Sequence, residues 1–248
     1  MASEELTPTL ELPVAEALEL LEHGELGIEG RLIDASNATL YCSVELDGVR
    51  AACVYKPVAG ERPLWDFPDG TLAEREVAAY QTSAAIGWLI VPPTVLRDGP
   101  MGPGMVQLWI DIDEQADIVA LVRGSDSAAL RRVSVFDAVI NNADRKGGHL
   151  LPVPSGHIYG IDHGISFHSD PKLRTLLWQW AGDPLTDEAI DALSRLRAEL
   201  EGPLAERLAE LLTTREVRRT VRRVDHLLAA GCHPLPAHDR PAIPWPPM

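Results

Sequence analysis

Four side chains in this sequence have types and placements suited to moving a phosphoryl group: Lys56, Glu76, Asp144 and Asp162. That chemistry needs a cation on the phosphates, carboxylates for a divalent metal, and a group that orients the acceptor. Lys56 lies in the strand-like run Val54-Tyr55-Lys56-Pro57. Side chains alternate along a strand, so Val54 and Lys56 share a face, one suited to lie under a base and the other on phosphates. A partly buried lysine stays charged and placed only when it is paired. Glu76, on the helix that follows, is the preferred partner, because its competitor Glu74 fits a capping box with Thr71. Asp144 opens a polar loop after a long helix, and Asp162 ends a short strand one hairpin later. Carboxylates in those places suit one as acceptor-orienting base and the other as metal ligand. Each group alone has an ordinary reading: a surface lysine, a solvated helix carboxylate, a turn aspartate. Their joint order along the chain is what favours chemistry. His149 follows Asp144 by five residues. It suits a metal ligand, a phosphate contact or a structural histidine.

The elements that must position these groups are legible from periodicity. A short helix begins at Pro13 and carries an apolar stripe of Val14, Ala17, Leu18 and Leu21. Strands are predicted over 26–33, 39–46 and 49–57, with a turn over 34–37 and a two-residue hairpin turn at Asp47-Gly48. A Pro/Gly loop over 60–70 leads to a helix over 72–86, then to strands over 91–96 and 105–110. An amphipathic helix over 125–142 has Leu130, Val133, Phe136, Val139 and Ile140 on one side. A short strand over 157–162 follows the polar loop, and from Leu173 onward the pattern is helical. Strands first and helices after argue for an α+β fold of two lobes. The expected division is a strand-rich N-lobe at 13–112, a helical C-lobe at 113–231 and a proline-rich extended tail at 232–248, with 1–12 loose.

The chain has 248 residues and a formal net charge of −15. An acidic chain repels phosphate backbones and anionic membrane surfaces, which disfavours nucleic acid and lipid head groups as partners. The exception is a run of Arg215, Arg218, Arg219, Arg222 and Arg223, a basic stripe at helical spacing. Its preferred reading is a solvated helix face paired with nearby glutamates. The three cysteines form no CxxC, and Cys42 and Cys53 fall in apolar runs, as expected of buried thiols in a reducing cytosol. The N-terminal residues are acidic, and no stretch approaches the roughly 20 apolar residues of a membrane span. A soluble cytoplasmic protein without a membrane span is expected.

The segment Asn142-Ala143-Asp144-Arg145-Lys146-Gly147-Gly148-His149, followed by Ile161-Asp162-His163-Gly164, resembles the catalytic and metal loops of the phosphatidylinositol 3-/4-kinase-like superfamily. Arg75-Glu76-Val77-Ala78-Ala79-Tyr80, with Val91-Pro92-Pro93-Thr94 after it, resembles that superfamily's helix and following strand. The whole is similar to an actinobacterial phosphatidylinositol-kinase-like family, over roughly 30–180. The resemblance implies an atypical protein/lipid-kinase-like fold that binds ATP with Mg²⁺. Lys56 would contact the ATP phosphates and pair with Glu76. Ser36 and Asn37 would lie in the turn over the phosphates, and Gln107, Leu108 and Trp109 near the adenine hinge. Asp144 would be the catalytic aspartate and Asp162 the Mg²⁺ ligand. Many relatives carry asparagine where this sequence has His149, and an imidazole favours softer ions, which brings in Mn²⁺. No GxGxxG occurs, so the ordinary protein-kinase pattern does not apply. The acidic surface disfavours a phosphoinositide acceptor. The implied activity is transfer of the ATP γ-phosphate to a protein or small molecule. AMP transfer from a reversed ATP and a non-catalytic nucleotide-binding scaffold are the alternatives.

Overall fold

Period-two alternation at the front of the chain produces one antiparallel sheet. Strands β1 (Glu25–Arg31), β2 (Leu40–Leu46), β3 (Val49–Pro57), β4 (Thr94–Gly99) and β5 (Gly102–Leu108) lie in the order β1-β2-β3-β5-β4. The structure is a computed structural model and describes residues 7, 9, 12–32, 37–124 and 127–248. Most of the segment expected to be loose, 1–12, and residues 34–36 of the expected turn lie outside the described residues. Thr7 is not loose: its N–H donates to the Arg50 carbonyl at 2.8 Å.

The hairpin between β2 and β3 turns at Asp47 and Gly48, both with positive φ (50° and 82°). That is the backbone a two-residue hairpin turn requires. One sheet face packs helix α1 (Val14–His23) through Ala17, Leu20 and Leu21 against Cys42, Val44, Cys53, Tyr55, Val106 and Leu108. Arg97 ties the end of α1 down, donating from Nη1 to the carbonyls of Leu21 (2.9 Å) and Gly24 (2.8 Å). Gly104 has no room for a side chain, since a Cβ there would lie 2.5 Å from the Lys56 carbonyl oxygen. The close approach of β5 to β3 beside Lys56 therefore depends on glycine.

Helix α2 (Leu72–Ile86) has the length its periodicity predicts. Its start differs from expectation. The N–H groups of Leu72 and Ala73 donate to the Glu61 carboxylate at 3.1 and 2.8 Å, while the Thr71 hydroxyl donates to the Pro68 carbonyl. A carboxylate from the preceding loop thus satisfies the free first-turn donors, in place of the expected Thr71–Glu74 box.

The chain divides into two compact units, Met1–Val77 with Pro92–Asp111, and Ala78–Val91 with Ile112–Met248. The second contains α3 (Ile118–Arg123), α4 (Ala128–Ile140), a two-stranded ladder of β6 (Leu150–Pro152) and β7 (Ile158–Gly160), and α5 (Asp187–Glu199), α6 (Pro203–Leu211) and α7 (Thr214–Ala230). The expected α+β class, with a strand-rich front and a helical back, holds. Helix α4 is the central element: Leu130, Val133, Phe136, Val139 and Ile140 are fully buried. It ends at Asn141 in the left-handed conformation (φ 56°). Residues 232–248 contain no helix, but they are not free. His233 exchanges backbone hydrogen bonds with Gly182 and Asp183, the Ala242 carbonyl accepts from Thr175 N and Trp178 Nε1, and the Pro247 carbonyl accepts from Gly147 N. Among the described residues, no helix is long and apolar enough to cross a membrane.

Candidate functional site

The candidate residues fall into two groups, one in each unit. In the first unit, the sheet face opposite α1 carries Tyr41, Val54 and Gln107 in register, with Lys56 one step along β3. Lys56 Nζ lies 2.8 Å from Glu76 Oε1, and the two side chains are 17% and 4% exposed. The pair holds the ammonium on the sheet face opposite α1, since Tyr55 on the other side is in the core. Val54 is half-buried.

Other expected nucleotide contacts are placed differently from one another. Ser36 lies outside the described residues. Asn37 has its side-chain oxygen engaged by Arg62 N at 2.9 Å. Gln107 is buried and donates from Nε2 to Thr94 Oγ1 at 2.9 Å, so its amide is held within the sheet. The Leu108 side chain turns into the core under α1, and its N–H donates to the Pro93 carbonyl. Alternation along β5 sends this side chain to the sheet face away from Gln107, so what Leu108 could offer a ligand on the Gln107 side is its backbone. Trp109 is half-buried and meets Tyr41 edge-on, ring centroids 5.0 Å apart. Sequence reasoning passed over Tyr41. The signal was there, because in β2 it alternates against Leu40, Cys42 and Val44.

In the second unit, the loop after α4 carries Asp144 and His149, and the turn after β7 carries Asp162. Asp144 Oδ2 is 3.0 Å from Lys146 Nζ, each side chain 24% exposed. His149 Nε2 is 3.5 Å from Asp162 Oδ2. Asp162 has positive φ (59°), a conformation an aspartate tolerates better than most residues but which still costs free energy. Burial lowers the His149 pKa, and the opposing pull of Asp162 does not cancel it. The imidazole is therefore neutral near pH 7, with a nitrogen lone pair to offer. Its Nδ1 is buried and has no hydrogen-bond partner among the described residues. Together with one carboxylate this donor set fits a divalent cation that takes its remaining ligands from phosphate and water. A nitrogen donor favours Mn²⁺ over Mg²⁺. Among the described residues no group of three or more His, Cys, Asp or Glu could hold a metal alone.

The loop is held by residues whose role the sequence did not reveal. Asp137, inside α4, is fully buried and accepts from Arg145 Nε (3.0 Å) and Nη2 (2.9 Å) and from Asn142 Nδ2 (3.0 Å). Arg145 is also fully buried. Its Nη1 donates to the carbonyls of His149 (3.3 Å) and Ile161 (3.1 Å), and its Nη2 lies 2.6 Å from His163 Nε2. One guanidinium therefore clamps the two segments that carry His149 and Asp162. Asn142 Oδ1 accepts from Asp144 N at 3.0 Å, which passes the same order to the candidate base.

No family model matches the sequence. Protein Rv2133c of Mycobacterium tuberculosis (strain ATCC 25618 / H37Rv) is 45% identical over 263 residues, covering 92% of this chain and 94% of that protein. Among solved structures, hydra Fam20 with sugar superposes with a TM-score of 0.57 at 14% identity, over 88% of this chain and 87% of the other. The Helicobacter pylori proinflammatory kinase CtkA superposes with a TM-score of 0.45 at 13% identity, over 84% and 98%. The first superposition shows that the chain shares the fold of hydra Fam20.

Proposed function

Since the chain belongs to the same family as Protein Rv2133c, we propose that this family includes an ATP-dependent phosphotransferase of the atypical kinase type, and that this chain is one. The observation that carries the reading is the Lys56–Glu76 ion pair at 2.8 Å on the sheet face opposite α1, in a chain of kinase-like fold. The resemblance of the 142–149 and 161–164 segments to phosphatidylinositol 3-/4-kinase-like loops supports it. We take 13–112 as the nucleotide-binding lobe, 113–231 as the lobe of the catalytic and metal loops, and 232–248 as a tail.

Each residue then has a task. Glu76 holds Lys56 in place, and Lys56 neutralises and orients the ATP phosphates. Val54 and Trp109 supply apolar contact to the base. Asp144, with Oδ2 held by Lys146, accepts the proton of the acceptor hydroxyl on Oδ1. Asp162 and His149 would hold a divalent cation, Mg²⁺ or Mn²⁺, whose charge offsets that of the phosphates when bound. Asp137 and Arg145 keep these loops in register. The acceptor is a protein or a small molecule. The −15 charge disfavours a phosphoinositide in a membrane.

The test uses ATP labelled in turn on the γ- and the α-phosphate. Label from the γ-position should pass to protein or added acceptor, with ADP as product, and the rate should fall about 10²-fold or more in Asp144→Asn. Transfer of α-label would replace the reading with AMP transfer. Nucleotide binding with no transfer of either label would replace it with a scaffold.

A further inference from the structure

The arginine stripe of α7 is only in part the solvated face that the sequence suggests: Arg215, Arg218 and Arg222 are exposed, whereas Arg219 and Arg223 are half-buried. Arg223 is built into the second unit: Nε donates to the Val139 carbonyl (2.7 Å), Nη1 to the His168 carbonyl (3.4 Å) and Nη2 to Thr220 Oγ1 (2.8 Å). Arg215 pairs with Asp170 at 3.5 Å. Arg219 and Arg222 have no hydrogen-bond or ion-pair partner among the described residues. Both instead line a cavity of about 370 Å³.

The cavity lies wholly within the second unit. Helix α7 presents Arg219, Arg222, Arg223 and His226 to it, at spacings of three and four that put them on one face. The tail adds Arg240. No aspartate or glutamate is among the described residues that line it. Apart from Asn141 and Ser169, the remaining wall is apolar, with Trp178, Leu173 and Leu235 as its larger members. Arg240 is ion-paired with Asp239 at 3.2 Å and Arg223 is spent on hydrogen bonds, so Arg219 and Arg222 are the two guanidiniums left to a ligand, in a chain with 37 carboxylates against 22 lysines and arginines.

The walls are preformed. Asn141 is fixed by its own amide, which donates to the His168 (2.9 Å) and Asp170 (2.8 Å) carbonyls and accepts from Lys172 N (2.8 Å). Trp178 is pinned through Nε1 to the Ala242 carbonyl at 3.0 Å. Burial, with Arg219 pushing the same way, lowers the Arg223 pKa to about 10. An anion beside these guanidiniums would relieve that repulsion.

We propose that this cavity is a second ligand site, for a small molecule that joins a phosphate group to an apolar or ring-bearing body. The phosphate sits between Arg219 and Arg222, whose planar forks match its oxygens. The body lies against Trp178 and Leu235. The volume is that of a small-ligand pocket. The overall negative charge turns away extended polyanions such as nucleic acid or an anionic bilayer, but it does not bar a compact anion from a locally basic cavity. The site uses none of the residues assigned to ATP.

The test is calorimetric titration of the full chain with phenyl phosphate, inorganic phosphate and phenol. Phenyl phosphate should bind about tenfold more tightly than inorganic phosphate, and phenol should not bind measurably. Arg219→Ala with Arg222→Ala should weaken phenyl phosphate at least tenfold, as should Arg222→Glu alone, a change at an exposed position. Asp162→Ala should leave the titration unchanged. Undiminished affinity in the arginine variants, or no binding at millimolar concentrations, would overturn the proposal. So would loss of binding in Asp162→Ala, which would put the anion at the nucleotide site instead.

Discussion

Replacing Arg145 by methionine should be the most costly single substitution in the second unit. The side chain is fully buried, paired with a fully buried Asp137, and donates to two further carbonyls. Methionine keeps much of the volume but leaves the Asp137 carboxylate without its counter-charge. Breaking one side of a buried pair costs about 3–5 kcal/mol. Domains of this kind have about 5–15 kcal/mol of stability in all. The expected fall in melting temperature is about 6–20 °C. Urea unfolding gives the number, read from the midpoint at unchanged m-value. The informative comparison is the double variant Asp137→Leu with Arg145→Met. It removes both charges, so it should cost at least about 2 kcal/mol less than the two single costs added together. Additive costs, or a single-variant cost under about 1 kcal/mol, would refute the claim that this pair is a desolvated clamp.

Three other outcomes follow from the same geometry. Gly160→Ala would put a Cβ 3.1 Å from Arg145 Nη2, so the clamped guanidinium would have to give way by a few tenths of an ångström; destabilisation of about 1–3 kcal/mol by urea unfolding is expected. Burial, helped by the Arg131 charge, lowers the His233 pKa to about 4. The unfolded chain therefore binds a proton there between pH 6.5 and 4 that the folded chain does not. Stability should be fully present above pH 6.5, fall as the pH drops toward 4 and lose up to about 3 kcal/mol; in His233→Gln that slope should flatten in parallel urea series at each pH. Glu76→Gln takes the charged partner from Lys56 and should weaken ATP binding about 10–100-fold in titration calorimetry, the range of a charge-assisted hydrogen bond.

Much of the first unit could be read from sequence because its signals are local. Val49–Pro57 and Leu72–Ile86 occur at the bounds that period and punctuation predict, and Asp47-Gly48 turns the hairpin. Lys56 and Glu76 could be matched because a buried lysine limits its partner to the next helix. The misses come from interactions distant in sequence. Glu61 caps α2 from 11 residues upstream, a reach that no helix-start pattern encodes. Asp137 sits inside an apolar helix, where a lone carboxylate carries no periodic signal, and its Arg145 lay in a motif read for chemistry rather than packing. The tail and the arginine cavity form only when residues 171–178, 219–227 and 234–240 come together, and no single stretch announces that.

The proposed tasks of Lys56 on the ATP phosphates and of Asp162 on the metal are tested together by titrating the protein with ATP in Mg²⁺ and separately in Mn²⁺, for the wild type, Lys56→Met and Asp162→Ala. Binding should be metal-dependent in the wild type, tighter with Mn²⁺ because of His149, and weakened at least about tenfold in both variants. ATP binding that is absent in either metal, or unaffected by both substitutions, would contradict it.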